Sequence, residues 1–574
     1  MTFSLLAMTA LSIAASCVAN EKAMADSTSS AFKYREVYLP QGIGQNARNF
    51  GLNTLEYDWG IWGHNLAKVL PEEHSNSIYA KVNGNTSKKQ FCFSSNHLYN
   101  YIEEFIDSKY DKNEFARFAI IPNDNDIVCL CEKCIAAGNS HGNASPAVNK
   151  LVRKLAQRFP NHTFFTSDYR TTSEIPTDTM PQNTGVLISA MTYPLSTSDS
   201  PDEHRFLDRI NKWTPTTPRV LVWDYINNFD DYFTPYPIFG PMQRRLKQYR
   251  DNKVTAVFLN GSGADPSSFS DIKTEVLAEL TDNPDADWKE LVKEKATKLY
   301  PVAGLTIADF ILAQEEMIQN SGAVLPLYEG VETALKTYLP ENDFVVFHDK
   351  LMKLRESAQD PEKQALDLLL GQLALTRLEI KRINADTKES EPLLQQLAYL
   401  PENGVEAYNE SGWTINSYIN DYNFLLKHVK ETGKKNKIKG EKLIPLTALD
   451  QQYTNVGILT DGVLGIPSNY HSGLLITSPR DFTQIAIPNK PGTKKVKVWM
   501  AYNPAYRIFL PENVTLSTAD GKSIGSVAPA YPENDSGHSS LEFDVPASVN
   551  GTLTLTFHKN PENHSMAIEE IEAF

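Results

Sequence analysis

Short apolar runs alternate with amphipathic segments along the first half of the chain. The segments between the runs space their apolar residues three and four positions apart, as in SPAVNKLVRKLAQRF, which is typical of helices packed on a core. Eight strands, each followed by a crossover, is the number that closes a (β/α)8, TIM-like barrel. The pattern therefore predicts such a barrel over residues 26–280. The eight runs are YREVYLP (34–40), TLEYDWG (54–60), QFCFSS (90–95), FARFAIIP (115–122), TFFTSDY (163–169), GVLISAM (185–191), VLVWDY (220–225) and AVFLNGS (256–262).

The pattern changes twice after the barrel. Apolar residues keep a helical spacing with few strand-like runs, as in KQALDLLLGQLALTRLEIKRINA, and this predicts a helical domain over 281–440. The period then becomes two, with frequent Gly, Pro and Asn turns, which predicts a β-sandwich over 441–574. The predicted fold class is multidomain α/β plus all-β: a barrel, a helical domain and a C-terminal β-sandwich.

The N-terminus has the composition of an export signal. Residues 3–18 are small and apolar, too short to span a bilayer comfortably, and they run into a polar tract. We expect residues 1–25 to be a signal peptide and the chain to be exported, to the periplasm or as an outer-membrane lipoprotein. Cys17 ends a loose lipobox, AASC, and AMA before Asp26 is an alternative cleavage site, so lipid attachment and simple cleavage both stay open. The sequence contains no further apolar run of transmembrane length.

The composition argues against one class of binding partner, nucleic acid. The net charge is −15, and binding to nucleic acid needs a surplus of Lys and Arg, so a nucleic-acid partner is not expected. Apolar residues make up 41% and charged residues 22%, as in ordinary globular proteins.

Carboxylates follow two of the predicted strands, where a barrel places its chemistry. Predicted strand four ends in PNDND, and a partly desolvated Asp124 there would have a raised pKa and could act as a general acid. The alternative is an Asx turn that holds the loop. Predicted strand seven delivers Asp224, either as base or nucleophile or as a hydrogen-bond acceptor at the rim. Two carboxylates across a cleft are what glycoside hydrolysis requires.

Other strand ends supply candidate sugar contacts. LEYDWGIWGHN holds two acids, two Trp and one His, and strand alternation would place Glu56 and Asp58 on one face. The alternative is that the Trp residues are core and His64 is a rim residue with its hydrogen bonds satisfied. The predicted substrate-binding residues are Glu56, Asp58, Trp62, His64, Asn123, Tyr169, Tyr225, Asp231 and Asn260.

Four cysteines form a separate group. CLCEKC places Cys129, Cys131 and Cys134 within six residues, and Cys92 lies in predicted strand three, next to strand four. A zinc site with four thiolates, disulfides formed in an oxidising compartment, and free thiols all remain open. Either cross-link would brace the loop that follows Asp124. No other cofactor is expected.

Several of these stretches occur in the order of a known family. They are YREVY, WGIWGHNL, QFCFSS, IIPNDNDIVCLCEKC, VWDYINNFDDYFTPYP and VFLNGSG, over about residues 32–300. The chain resembles the bacterial family called domain of unknown function 4838. The resemblance implies a glycoside-hydrolase-like barrel, distantly similar to α-glucuronidases and β-hexosaminidases. In α-glucuronidase barrels, acids at the ends of strand four and of a late strand carry catalysis, a placement similar to Asp124 and Asp224. LTDGVLG (459–465) and MAIEEIEAF (566–574) resemble a galactose-binding-like sandwich.

These features lead to competing hypotheses. The first is an exported glycoside hydrolase that cleaves a polysaccharide or oligosaccharide, with Asp124 as acid, Asp224 as base or nucleophile, and Trp62, His64 and Tyr169 orienting the sugar. The second is a non-catalytic glycan-binding protein on a degenerate barrel. A third is a metal-dependent hydrolase that uses the cysteine cluster. The geometry of the two carboxylates distinguishes the first two.

Overall fold

A computed structural model describes residues 30–432, 435–534 and 536–574. The predicted signal peptide and Cys17 lie outside these residues. The chain divides into two compact units: the first runs up to Asn228 and includes Tyr236–Leu327, and the second comprises Phe229–Pro235 and Tyr328–Phe574. In the described part of the chain, no helix has both the length and the hydropathy needed to cross a membrane.

Seven parallel strands form the main sheet of the first unit. The strands are β1 (Tyr34–Tyr38), β2 (Trp59–Ile61), β3 (Arg117–Ala119), β4 (Thr163–Asp168), β5 (Thr184–Ser189), β6 (Val220–Tyr225) and β7 (Ala256–Asn260). Their order in the sheet is β1-β7-β6-β5-β4-β3-β2, so β1 and β2 are its two edges. Every pairing is parallel, as expected for strands joined by helical crossovers.

The sheet curls until its two edges approach each other. The rings of Tyr34 on β1 and Trp59 on β2 have their centroids 5.9 Å apart, although the two strands are not hydrogen-bonded neighbours. Side chains from all seven strands form one hydrophobic cluster on the inner face, so that face is a packed core rather than a pore. The members on the strands are Tyr34, Trp59, Ala119, Phe165, Leu187, Leu221, Ala256 and Phe258. The result is a curled half-barrel.

The prediction of a barrel strand at QFCFSS is wrong. Residues Asn85–Phe91 pair antiparallel with Tyr79–Val82 and form a separate hairpin. Asn83 and Gly84 both have positive φ angles, of 48° and 82°, as the tight turn of a two-residue hairpin requires. The second predicted strand is also shorter than expected, because Leu55–Asp58 forms a helical turn before β2.

Helices cover the sheet of the first unit. They begin with recognisable signals, such as Ser95, whose hydroxyl accepts from the Leu98 N–H, and Ser200, which accepts from Glu203 before a Pro at the first helical position. The bounds are Asn96–Lys109, Glu132–Ala137, Ser145–Arg158, Pro201–Trp213, Phe239–Asp251, Ser270–Asp282, Trp288–Leu299 and Gly304–Ser321. A short ladder joins Leu195–Ser196 to Val324–Leu325. The first unit therefore extends beyond residue 281, where the predicted helical domain begins.

The second unit combines helices with two antiparallel sheets. Its helices are Val331–Thr337, Glu341–Ser357, Glu362–Ile383, Ser390–Glu402 and Ile415–Thr432. One sheet has the order Ile444–Pro445, Phe482–Ile487, Leu553–His558, Val514–Thr518, Ser523–Val527, and the other has the order Leu475–Thr477, Met566–Ala573, Lys495–Tyr502, Gly537–Asp544. Buried residues of both sheets belong to one hydrophobic cluster. The period of two in the sequence thus corresponds to antiparallel strands with one apolar face each.

Candidate functional site

The loop after β3 is held by its two asparagines. Asn123 Nδ2 and Asn125 Nδ2 both donate to the carbonyl of Lys89, each at 3.0 Å. Gln90 accepts from the Asn123 N–H at 3.0 Å and donates to Asn125 Oδ1 at 3.1 Å. Asn125 Oδ1 also accepts from the Ile127 N–H, which makes the Asx turn of the loop. Asn123, predicted to bind substrate, therefore uses its side-chain amide to fasten the loop to the hairpin.

Asp124 lies in this loop, at the C-terminal end of the sheet. Its side chain is 55% exposed. Its Oδ1 accepts from the Tyr169 hydroxyl at 3.2 Å and lies 3.3 Å from Arg170 Nε. Arg170 also pairs with Asp126, at 3.6 Å. Burial raises the pKa of Tyr169, and the negative charge of Asp124 adds to that effect, so Tyr169 keeps its proton as a donor.

The ends of four neighbouring strands meet around Tyr169. Its ring centroid lies 6.1 Å from that of His64, which follows β2, and His64 Nδ1 lies 2.5 Å from the Pro122 carbonyl after β3. That carbonyl can only accept, so the ring nitrogen donates. Met191 Sδ, after β5, lies 3.5 Å from the Tyr169 hydroxyl. We call this C-terminal end of the curled sheet the mouth; the predicted residues His64, Asp124 and Tyr169 are brought together there.

Aromatic side chains line the inner face below the mouth. Trp62 and Trp223 are both half-buried, and their rings stack with centroids 5.3 Å apart and planes inclined by 13°. Phe258 packs against both, at 4.9 Å from Trp62 and 4.8 Å from Trp223. Tyr38 adds a further half-buried ring, 5.5 Å from Phe258. Flat apolar surfaces of this kind suit the apolar face of a sugar ring.

Glu36 is a buried acid on this inner face. It lies two residues after Tyr34 on β1, so both side chains point inward. Its carboxylate accepts from the Tyr34 hydroxyl and from the Leu55 N–H at 3.0 Å. Burial holds the pKa of Glu36 well above its usual range, and these two hydrogen bonds oppose the shift only in part.

Two further acids lie near Tyr38, at the end of β1. Burial raises the pKa of Tyr38, and the charges of Glu56, Glu36 and Asp265 raise it further. Glu56 and Asp265 are exposed, so both carboxylates are accessible at the rim. Glu56 is a predicted contact whose position fits the mouth.

Asp58 does not share that position. Leu55–Asp58 is helical, and residues two apart on a helix do not share a face, which corrects the expectation drawn from strand alternation. Asp58 accepts from the Thr54 N–H at 2.8 Å and lies 4.0 Å from Arg117. It stabilises the helical turn rather than the mouth.

Asp224 is sealed on the outer face of the sheet and is only 1% exposed. Arg245 Nη1 donates to both of its oxygens, at 3.0 and 3.1 Å, and the Tyr249 hydroxyl donates at 2.5 Å. Both partners lie on the helix Phe239–Asp251, which covers the sheet. Because Trp223 and Tyr225 point inward, the residue between them must point outward. The structure therefore places the Asp224 carboxylate away from the mouth, contrary to the position expected for a catalytic acid.

The three remaining predicted substrate-binding residues lie in different environments. Tyr225 is buried on the inner face, with its hydroxyl 3.2 Å from Ser189 Oγ, and Asn260 is half-buried at the end of β7. Asp231 belongs to the second unit, is 4% exposed, and accepts from the N–H groups of Phe233 and Thr234 at 2.8 and 3.0 Å. Asp231 thus caps a buried turn, which is not the accessible position expected for a substrate-binding residue.

The four cysteines converge, as predicted, although Cys92 follows a hairpin rather than a barrel strand. The sulfur atoms of Cys92, Cys129, Cys131 and Cys134 all lie within 4.8 Å of one another, and none of the four is joined to another by a disulfide bond. Cys92 Sγ lies 3.6 Å from the sulfurs of Cys131 and Cys134. Four sulfur donors in this arrangement fit the ligand set of a tetrahedral zinc ion.

Comparison with known proteins gives a family. The family described as Domain of unknown function (DUF4838) matches residues 14–311. The chain belongs to the DUF4838 family. No curated protein matches it.

Solved structures similar to the DUF4838 chain include two glycoside hydrolases. One is a family GH115 4-O-methyl-α-glucuronidase with specificity for decorated arabinogalactans, at 10% identity and a TM-score of 0.37, covering 87% of this chain and 70% of the other. A GH138 enzyme targeting pectin rhamnogalacturonan II shares 10% identity, with a TM-score of 0.27, over 87% of this chain and 79% of the other. A fucose binding module from Streptococcus pneumoniae shares 12% identity, with a TM-score of 0.19, over 24% of this chain and 97% of the module.

Sequence reasoning missed two residues on the inner face of the curled sheet, below the mouth. Trp223 precedes the acid that the sequence favoured, and VLVWDY alone carries no alternation that identifies its inward-facing residue. Glu36 is an acid in the middle of the apolar run YREVYLP. An ionisable side chain is costly to bury there unless it is hydrogen-bonded, and this was the signal that could have found it.

Proposed function

We propose that this DUF4838 chain is an exported glycoside hydrolase that cleaves a polysaccharide or oligosaccharide at the mouth of the curled sheet, with Asp124 as the general acid. One observation carries this proposal. In the loop Asn123–Asp124–Asn125, both asparagines fasten the backbone to the hairpin, and the Asp124 carboxylate faces outward beside Tyr169. The Asp124 carboxylate contacts Tyr169 and Arg170 and is 55% exposed, which supports a role in work on a ligand.

The aromatic lining supports a carbohydrate ligand. Trp62 and Trp223 are half-buried and present ring surface at the mouth, while His64 and Tyr169 supply hydrogen-bonding groups beside Asp124. Binding sites that combine such apolar planes with a few placed polar groups fix both the position and the orientation of a ligand.

Hydrolysis needs a second carboxylate, and the burial of Asp224 against Arg245 does not support Asp224 in that role. A separation of about 5–5.5 Å between the two carboxyl groups leads to retention of configuration, and about 6.5–9.5 Å leads to inversion. Glu56 and Asp265 are the exposed acids whose charges act on Tyr38 at the end of β1. We take one of these two as the partner of Asp124.

The fold interpretation is part of the same proposal. We interpret the curled sheet as a TIM-like barrel that lacks one strand, which the approach of Tyr34 to Trp59 supports. We interpret the two antiparallel sheets of the second unit as a galactose-binding-like sandwich, which their shared hydrophobic cluster supports.

The decisive experiment uses a glycan panel and records released sugar and retained glycan together. Asp124→Asn is expected to lower turnover by about 100- to 10,000-fold, as loss of a general acid does, with little change in melting temperature. Asp126→Asn is the matched control, because Asp126 lies in the same loop and also pairs with Arg170. Turnover of Asp124→Asn equal to that of the wild type would remove Asp124 from the mechanism.

The same panel identifies the second carboxylate. Loss of turnover in Glu56→Gln but not in Asp265→Asn assigns the role to Glu56, and the reverse result assigns it to Asp265. If neither substitution affects an active enzyme, the partner assignment is wrong.

The second candidate function is glycan binding without cleavage. It is favoured by the ion pair of Asp124 with Arg170 and by the sealed position of Asp224. In that case the wild-type chain retains a glycan and releases no sugar, and Asp124→Asn alters retention only.

Export is the remaining part of the proposal. The apolar segment 3–18 supports it. Cell fractionation is expected to recover the mature chain outside the cytoplasm. Mass spectrometry of its N-terminus would distinguish a lipid-modified Cys17 from cleavage before Asp26, and an uncleaved cytoplasmic chain would contradict export.

A further inference from the structure

We propose that Cys92, Cys129, Cys131 and Cys134, here called the thiol cluster, bind one Zn²⁺ ion as a closed structural site. The bound ion would fasten the segment that follows Asp124 to the hairpin formed by strands Tyr79–Val82 and Asn85–Phe91. This inference does not depend on the proposed hydrolase activity.

The spacing of the sulfur atoms has the size that zinc requires. A tetrahedral ion with Zn–S bonds of about 2.3 Å places its sulfur ligands about 3.8 Å apart. Cys92 Sγ lies 3.6 Å from the sulfurs of both Cys131 and Cys134, and all four sulfurs fall within 4.8 Å of one another. One ion can therefore reach all four without a large movement of the backbone.

The backbone around the cluster is built for anionic sulfur. The Lys81 N–H donates to Cys129 Sγ at 3.2 Å. The Leu130 N–H donates to the Lys81 carbonyl at 2.8 Å, so the cysteine loop pairs with the hairpin. Donors directed at sulfur stabilise a thiolate, which is the form that binds metal.

The convergence of four sulfurs favours the metal over disulfides. Cys92, Cys129 and Cys134 are buried, and buried thiolates need a cation beside them. A single disulfide would join only two of the four, whereas one ion binds all four sulfurs at once. Cys129 and Cys131 are separated by only one residue, which makes a bond between them unfavourable because the Cβ atoms must approach to about 3.8 Å.

The chemistry of the site is structural. Four protein sulfurs fill the tetrahedral shell of zinc, so no position is left for water or substrate, as in other closed sites. This opposes the third hypothesis from the sequence, a metal-dependent hydrolase that uses the cysteines. On binding, each thiol loses its proton to solvent and donates its sulfur lone pair to the ion.

The position of the site connects it with Asp124. The chain from Asn123 to Asn125 is held on the hairpin at Lys89, and the chain from Cys129 to Cys134 returns to the hairpin at Cys92. Zinc would therefore close a second attachment a few residues after Asp124. A bound ion would fix the carboxylate without contacting it.

The test measures metal in the full-length chain, purified without chelator from the compartment to which the cells deliver it. We expect about one zinc per chain, with Cys92→Ser and Cys134→Ser each losing most of it. Glu132→Gln is the matched control, since Glu132 is exposed between two of the ligands and is not one itself. Replacement of zinc by Co²⁺ is expected to give the strong visible and near-ultraviolet absorption of a tetrahedral cobalt thiolate.

A second readout applies if the cysteine variants do not fold. The wild-type chain is denatured in chelator, and its thiols, leaving out Cys17, are counted along with its intact mass. Four reactive thiols that appear only after zinc is released support the proposal. No zinc, together with a mass lowered by the two hydrogens lost per disulfide, overturns it in favour of disulfides. No zinc with four accessible thiols before chelation also overturns it.

Discussion

Trp223 and Asp224 are adjacent in β6 and serve opposite faces of the sheet. Trp223 stacks on Trp62 inside the curled sheet, whereas Asp224 is bound by Arg245 and Tyr249 of the covering helix. The strand therefore presents an aromatic ring on its inner face and buries its acid against the covering helix. Of these two adjacent residues, Trp223 is therefore available to a ligand and Asp224 is structural.

The first prediction concerns Asp224 as a structural residue. Asp224→Ala leaves the Arg245 guanidinium buried without its partner, and breaking such a pair is expected to cost about 3–5 kcal/mol of unfolding free energy. Chemical denaturation followed by circular dichroism measures this. Asp251→Ala, at an exposed position at the end of the same helix, is the control and is expected to change little. A stable Asp224→Ala chain that loses turnover would instead return Asp224 to the mechanism.

The sequence did not show whether Trp223 or Asp224 faces the mouth, and the reason is physical. A parallel sheet covered by helices is apolar on both faces, so VLVWDY has no alternation of polar and apolar residues to identify the inner one. The strand itself was predictable from its apolar run. Which face meets the mouth depends on how the sheet curls, and that is not encoded in the six residues of the strand.

The hairpin shows the opposite case, in which a local signal was present. Asn83 and Gly84 lie between two strand-like segments, and Asn-Gly is the strongest short-range indicator of a tight hairpin. The search for eight barrel strands assigned QFCFSS to the sheet instead. The convergence of Cys92 with the CLCEKC cysteines was still predicted, because both interpretations place the two segments side by side.

The second prediction concerns the aromatic lining. Trp62→Ala removes ring area at the mouth and is expected to weaken glycan retention about tenfold, or about 1.4 kcal/mol. Trp62→Phe keeps a ring and is expected to lose less. Calorimetry on a glycan identified in the panel measures both. Tyr531→Ala, at an exposed aromatic residue of the second unit, should bind as the wild type does. Equal affinity of Trp62→Ala and wild type would exclude stacking on this ring.

The third prediction concerns Gln90, which positions the Asp124 loop. Gln90 is 1% exposed, donates to the Asn123 carbonyl and to Asn125 Oδ1, and accepts from the Asn123 N–H. Gln90→Leu leaves buried groups of the loop unpaired, at a cost of about 1–3 kcal/mol for each unsatisfied group. We expect faster hydrogen exchange in residues 122–127 and lower turnover, with zinc still bound.

Lys88→Ala is the control for this experiment, because Lys88 is exposed on the same strand. Exchange that is unchanged in the Gln90→Leu loop would show that the asparagines hold it without Gln90. Exchange that rises together with loss of zinc would show that the loop and the thiol cluster form one cooperative element.

The last prediction concerns the acid stability of the second unit. His348 is 2% exposed on the helix Glu341–Ser357, and burial lowers its pKa to about 4, with the charge of Arg377 acting in the same direction. The unfolded chain takes up this proton near pH 6.5, whereas the folded chain resists it until about pH 4. Stability from this residue is therefore complete above about pH 6.5 and is lost as the pH falls towards 4, by about 3 kcal/mol in total. His348→Leu lacks the titration, so its unfolding free energy should fall less over that window in urea denaturation. His204→Leu, at an exposed position, is the control, and parallel curves for wild type and His348→Leu would contradict the prediction.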